Sequence, residues 1–299
     1  MANVVLKTLN LLMENKNILL IGLPESGKTT YIGALWNYIN SIMEKKSIEL
    51  HSLEGVDTEY LDSIADKWSS CEKIDRNYRT TPISKIQMKV KIVETNSILA
   101  IDIPDLSGET IGDTFEHREW SIEFDELAKN TLSIIMFVSV LNSNNKPTLL
   151  IHANEIEDCL DTISATSNIK PVEYNPQYTC NQVKLVEALQ LINLEKEKHG
   201  KINIGVVVSA WDRAIISHGK DYKPSEWISK ECPLLYQFLC SNDESFDVSF
   251  FGISAQGGDY DKEKADLIKK ELHDRIMVIS DEGLSFDIAK PIVWLTRQK

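Results

Sequence analysis

One stretch constrains the fold more than any other: the apolar run Ile18–Ile21 leads into GLPESGKT at Gly22–Thr29, and TTYIGALWNYI carries on as a helix. In the pattern G-x-x-x-x-G-K-[ST], the glycines let a tight loop wrap its backbone N–H groups around phosphates at a helix N-terminus. The lysine reaches the β and γ phosphates, and the hydroxyl takes Mg²⁺. Strand, loop and helix in that order imply an α/β fold with the loop at the carboxyl end of a strand. They also imply that Gly22, Pro24, Glu25, Ser26, Gly27, Lys28, Thr29 and Thr30 cradle a nucleoside triphosphate, with Lys28 on its phosphates and Thr29 on the metal. The loop alone does not choose between ATP and GTP.

Short apolar runs alternate with longer helical patterns along the rest of the chain, which predicts a doubly wound, mostly parallel six-stranded sheet. The strands are expected at Asn17–Gly22, Lys85–Val93, Ser97–Ile103, Leu132–Val140, Ile202–Ser209 and Val248–Ser254. Only Glu94, Thr95 and Asn96 separate the second from the third, too little for a crossover helix. These two should form a hairpin and give the sheet one antiparallel edge strand. Helices are expected at Thr29–Lys45, Thr58–Ser70, Ser121–Lys129, Asn154–Ser164, Thr179–Lys196, Ser225–Cys240 and Lys262–Ile279. The chain reads as a single domain over 1–299. A short docking helix covers 1–16, a long insertion follows the loop helix at about 46–84, and a helical insertion spans about 142–200 with Lys170–Pro176 as a loop inside it.

Charge excludes some partners. With 45 acidic against 32 basic residues the formal charge is −13, a field that repels nucleic acid and anionic membrane surfaces. The five cysteines form no C-x-x-C pair, as expected of free thiols in a reducing compartment. The longest apolar run, Leu132–Leu141, is about half a bilayer span. A soluble, cytoplasmic protein is expected.

Three further strand ends carry chemistry. The strand Ile98–Ile103 runs into Asp105-Leu-Ser-Gly108, where a carboxylate can hold Mg²⁺ through water and the Gly108 N–H can meet a γ-phosphate. Asp102 in the same strand reads as a structural or solvent-facing acid. Ser209-Ala210-Trp211-Asp212 follows the strand Ile202–Ser209, and Ser254-Ala255-Gln256 follows Val248–Ser254.

With these four elements in this order, the chain resembles a translation-factor-related, Ras-like GTPase over roughly residues 17–280. The resemblance implies a switch threonine at Thr80 or Thr81 that joins Thr29 and Asp105 around Mg²⁺. It implies base reading by Asp212, which accepts from guanine N1–H and N2–H₂, and by the Ala255 N–H, which donates to O6. Departures from the family pattern are specific. Ser209 and Ala210 replace the usual Asn and Lys, leaving the sharpness of base choice and an ATPase alternative open; Trp211 is a candidate to pack on the base, although a Trp after a strand more often packs in the core or at its rim. Glu109 stands where a water-orienting Gln is usual, so slow hydrolysis is expected, with His117 as a second candidate. Arg76 and Arg79 precede the switch threonines, and Arg79 is the candidate to steady transition-state charge in cis.

The wording of GLPESGKTTYIGALW, of NPQYTCNQVKLVEALQLI at Asn175–Ile192 and of AKPIVWL near the end resembles the bacterial double-GTPase family in particular. That family is associated with bacterial conflict and defence gene clusters. The resemblance implies a GTP/GDP switch with a protein partner, including a second related GTPase as one candidate. A nucleotide-binding interaction module with negligible turnover is the competing reading.

Overall fold

The computed structural model describes residues 17–43, 45–54, 58–74, 86–103, 109–119, 122–145, 175–196 and 200–297. The expected docking helix over 1–16, the helix Asn154–Ser164 and residues 170–174 of the expected loop lie outside them. Within them the strands are β1 (Asn17–Gly22), β2 (Ile48–Glu54), β3 (Ile86–Ile92), β4 (Ile98–Ile103), β5 (Ser133–Ser139), β6 (Ile202–Ser209), β7 (Phe246–Ser254), β8 (Met277–Ser280) and β9 (Gly283–Ser285). They form one sheet in the order β2-β3-β4-β1-β5-β6-β7-β8-β9.

The neighbours β4-β1, β1-β5, β5-β6 and β6-β7 are parallel, and the pairs outside them are antiparallel. The β3–β4 hairpin across Glu94–Asn96 is present as expected. Among the described residues, however, the sheet has nine strands, not six, and antiparallel strands flank its parallel centre on both sides rather than one. Each missed strand has a physical reason. In β2 the pairing shifts between Leu50 and Ser52, so its apolar residues Ile48, Leu50 and Leu53 lose the alternation that marks a strand. The strand β8 overlaps the end of the expected helix Lys262–Ile279, which is contradicted: only Lys264–Leu267 is α-helical there, and Leu272–Arg275 is a 3₁₀ turn. The apolar residues of Met277–Ile279 pair with β7 instead of completing a helical face. The strand β9 is only three residues long, too short for any period to show.

The helices are α1 (Lys28–Asn40), α2 (Thr58–Ser69), α3 (Glu109–His117), α4 (Ile122–Asn130), α5 (Asn181–Glu195), α6 (Trp211–His218), α7 (Pro224–Glu231), α8 (Pro233–Ser241), α9 (Lys264–Leu267) and α10 (Lys290–Thr296). The single helix expected over Ser225–Cys240 is two, because Pro233 has no N–H to continue the ladder of α7 and instead begins α8.

Both faces of the sheet are covered. Ile18 and Leu20 point to the face under α1, α2 and α10, where Ile32, Leu35, Leu61, Trp68 and Ile292 meet Phe137, Val207 and Phe251. Leu19 and Ile21 point the other way, toward Phe124, Leu189, Trp211 and Trp227 of the remaining layer. No helix among the described residues is long and apolar enough to cross a membrane. Cys71, Cys180, Cys232 and Cys240 are free thiols.

This doubly wound arrangement places the site. After β1 the chain builds β2, β3 and β4 on one side of it and then crosses to β5 on the other, so the sheet order reverses at β1, the switch point where open α/β sheets bind ligands at strand carboxyl ends. Register brings those ends level: Gly22 is opposite Phe137, Ser139 opposite Ser209, and Ser209 opposite Ile253.

Candidate functional site

The loop between β1 and α1 is shaped by two left-handed residues, Glu25 at φ 62° and Gly27 at φ 90°. Ser26 N–H donates to Leu23 O at 3.2 Å and closes the first turn; Tyr31 N–H donates to Gly27 O at 3.0 Å and opens the helix. The first N–H groups of α1 have no carbonyl one turn earlier, so they converge on the loop mouth as anion donors. Lys28 is only 3% exposed, and its ammonium donates to Gly22 O and lies 3.5 Å from Leu23 O, which places its charge inside the loop. Tyr31 anchors the helix from below by donating to Ile288 O at 3.0 Å, and burial keeps its phenol well above the usual range.

Gly27 meets two demands at once. Its φ favours glycine, and a Cβ there would lie 2.7 Å from Ser209 Oγ and 2.8 Å from Ser209 Cβ. Ser209 approaches this closely because its hydroxyl donates to Ser26 O at 2.7 Å, tying the end of β6 to the phosphate loop. Gly27→Ala should therefore strain the loop by roughly 1–2 kcal/mol and push Ser209 away as well. Nucleotide affinity, followed by titration calorimetry, is expected to fall about tenfold. Adding Ser209→Gly should recover part of it by removing the clash; recovery of none would mean that the approach of Ser209 is not what the glycine serves.

Beside this loop, β6 is followed by Ala210, held left-handed at φ 54° and ψ 40° as the chain turns into α6. Asp212 in the first turn accepts from Ser254 Oγ at 2.7 Å through Oδ1, while Oδ2 sits 3.4 Å from Arg213 Nε. Ser254 in turn accepts from the Gly257 N–H at 3.2 Å. The Arg213 guanidinium also lies 3.4 Å from Asp259 and 3.3 Å from Glu263. The ends of β6 and β7 are thus knitted into one rigid corner that fixes Asp212.

These loops surround one cavity of about 590 Å³, lined by Ser26–Thr30 from the phosphate loop, by Ser209, Asp212 and Arg213 from the β6 end and by Ala255 from the β7 end. Helix α2 and the residues after it contribute Trp68, Lys73 and Ile74 to the same wall. Glu25 and Thr29–Thr30, expected in the cradle, are at the cavity. Gly22 lies directly beneath, its carbonyl facing Lys28.

Some expected residues are elsewhere. Trp211 does not pack on a base: it is fully buried on the opposite face of the sheet, stacked on Tyr222 with planes 6° apart and pressed against Gly252, where a Cβ would lie 2.3 Å away. The apolar layer around α6 wins the indole because β6 and β7 leave a glycine-sized gap for it. Asp102 is buried rather than solvent-facing, and accepts from Gln87 Nε2 at 2.6 Å across the hairpin, a structural role. His117 is exposed on α3 with its Nδ1 3.0 Å from Asp113 O, and it does not line the cavity. Glu109 opens α3. Arg76, Arg79, Thr80, Thr81, Asp105 and Gly108 lie outside the described residues. No group of three or more His, Cys, Asp or Glu that would hold a metal occurs among the described residues. Thr29, at the cavity, is the described member of the expected Mg²⁺ set, and its hydroxyl oxygen suits that hard cation.

Trp68 and Tyr260 also line the cavity and were not legible as site residues in the sequence, since Trp68 sits in an ordinary amphipathic helix pattern far from any motif. Tyr260 donates to Trp68 O at 3.3 Å; burial, and then Cys71, hold its phenol protonated well above the usual range.

The profile of a family described as Double-GTPase 1 matches residues 19–295. Curated proteins yield no match. Among solved structures, the chain is similar to the bacterial selenocysteine-specific elongation factor EF-Sec, at 13% identity over 85% of this chain and 27% of that one, with a TM-score of 0.35. It is also similar to the GTPase-like domain of Ski7 from S. cerevisiae bound to GTP, at 16% identity over 83% of this chain and 45% of that one, TM-score 0.37. A third likeness is to the signal recognition particle receptor SRb-GTP/SRX complex from Chaetomium thermophilum, at 12% identity over 84% and 95% of the two chains, TM-score 0.36. The chain thus spans less than half the length of the first two.

Proposed function

The chain belongs to the Double-GTPase 1 family, and from that premise we propose that it is a cytoplasmic, Mg²⁺-dependent GTP-binding and hydrolysing switch, slow in turnover, that regulates a protein partner in a bacterial conflict or defence system. The observation that carries this reading is the convergence of the phosphate loop, Asp212 and Ala255 on one cavity. Lys28 and the N–H groups opening α1 hold the phosphates. Asp212, fixed by Ser254, accepts from the guanine edge, and the Ala255 N–H donates to O6, a pattern that adenine does not match.

Thr29, Asp105 and Thr80 or Thr81 would hold Mg²⁺, which when bound neutralises charge on the β and γ phosphates. Gly108 offers its N–H to the γ-phosphate, and Arg79 adds positive charge where the transition state gathers negative charge. Glu109 stands where a Gln would orient water; a carboxylate beside the γ-phosphate is electrostatically costly, which makes turnover slow. The single G domain, with its two insertions, responds to the γ-phosphate by ordering both switch segments and releases them on hydrolysis.

The test is the nucleotide retained on native purification, followed by single-turnover hydrolysis of labelled GTP. GDP or GTP is expected in the purified protein, with phosphate released before nucleotide dissociates. Retention of adenine nucleotide, or equal affinity for GTP and ATP, would overturn the guanine reading. Phosphate release slower than dissociation would favour the second reading, an interaction module that Glu109 in place of Gln motivates.

A further inference from the structure

Helix α2 lies in the insertion after the phosphate-loop helix, and no phosphate or base contact calls for it. It nonetheless joins the two ends of the cavity. On one side it packs on α1, where a Cβ at Gly33 would lie 2.9 Å from Ile64 Cγ2 and 3.3 Å from Trp68 Cβ. There Trp36 Nε1 donates to Asp62 Oδ1 at 2.7 Å. On the other side, its last turn meets the loop after β7. The Trp68 indole N–H donates to Ala255 O at 2.8 Å, and Lys73 Nζ is 2.6 Å from Asp261 Oδ2.

Arg275 backs this contact. Its guanidinium lies 5.9 Å from the Trp68 ring centroid, and its Nη1 donates to Ser69 O at 2.8 Å. The loop is pressed on the same residue: Gly257 is left-handed at φ 79°, and a Cβ there would lie 2.7 Å from Arg275 O. Trp68 itself is 1% exposed and lines the cavity. Ala255 is therefore held from both sides. Ser254 before it is bonded to Asp212 and Gly257, and its own carbonyl is bonded to a buried indole.

We propose that Trp68 is a positioning residue for base selection: by holding the Ala255 carbonyl, its indole fixes the turn whose Ala255 N–H meets the base at O6. The inference rests on the function proposed above and extends it to a residue in the insertion. Without the indole donor, the Ala255 carbonyl would sit buried and unpaired unless the turn rotated to find another partner. Rotation re-aims the Ala255 N–H, and hydrogen bonds weaken steeply away from linearity. The phosphate loop is untouched by that rotation, so base choice falls while phosphate binding stays.

Trp68→Phe keeps an aromatic ring and removes the donor. Dissociation constants for GTP and ATP would be measured by fluorescence titration for the full chain and for this variant. The GTP preference is expected to fall about tenfold in the variant, with ATP affinity held within about twofold. Equal weakening of both nucleotides, which a merely structural role would give, or an unchanged preference, would overturn the proposal. Arg275→Lys, which leaves the indole in place but loses its flat support, is the second variant and should lower the preference in the same direction, by about threefold. No change there in a folded protein would count against it. A wild-type chain with no preference for GTP would instead sink the guanine reading itself, a result read before any substitution is made.

Discussion

Replacing Lys28 with alanine is expected to lower GTP affinity by more than about a hundredfold. The ammonium is buried inside the loop, against the Gly22 carbonyl and 3.5 Å from that of Leu23. Charge-assisted hydrogen bonds are worth roughly 1.5–3 kcal/mol each, and a lysine shared between β and γ phosphates makes two of them. Their sum exceeds the roughly 2.7 kcal/mol that a hundredfold change requires. Folding should suffer less. The variant loses the donor to the two loop carbonyls but is also relieved of a desolvated charge, and these effects oppose one another. Calorimetric titration with GTP, alongside a thermal melt, checks both parts. Unchanged affinity would show that the phosphates bind elsewhere; a collapse of the melt would show that Lys28 serves folding first.

The second large effect is expected at the base. Asp212→Asn should lower GTP affinity about a hundredfold or more while leaving ATP almost unchanged. The reason is geometric. Ser254 Oγ donates to Oδ1 of Asp212 at 2.7 Å, so an asparagine there keeps its oxygen on Ser254 and turns its NH₂ outward. An outward amide opposes the two donors of guanine, N1–H and N2–H₂, and leaves them unpaired. The same amide suits xanthine, which carries a carbonyl where guanine has its amine, so xanthosine triphosphate should gain what GTP loses. Competition binding with the three nucleotides decides it. Affinities for GTP and ATP that are equal and insensitive to the substitution would remove guanine from the account.

Six strands and the hairpin were legible because their apolar runs are long and their period regular. Asn17–Gly22 and Ile202–Ser209 are recovered to the residue, and the pair at Lys85–Val93 and Ser97–Ile103 shifts by one position at its ends. Failures fell where local pattern and packing disagree. The bulge in β2 breaks its alternation, and the apolar spacing of Lys262–Ile279 fits a helix as well as it fits a turn followed by a strand. For Trp211, core packing is the commoner fate of a Trp after a strand, and the structure agrees while adding the face. Its position after a strand end says that it is near the base corner, but only the gap at Gly252 says which face its ring takes.

The same division runs through the site. Sequence alone determined the phosphate loop, because its chemistry is local: two glycines, a lysine and a hydroxyl within eight residues, followed at once by the helix whose N–H groups they complete. It also located Asp212 and Ala255, each a short step beyond a readable strand. What tertiary structure decided is how those pieces touch. The Ser209 hydroxyl on Ser26 spans 183 positions, and the Trp68 indole on Ala255 spans 187. Periodicity reports which neighbours share a face of one element, but it is silent on which distant backbone atom a side chain will meet. That depends on strand order and register, and here it is the placement of β1 between β4 and β5, with α2 folded across the β7 end, that turned separate motifs into one cavity.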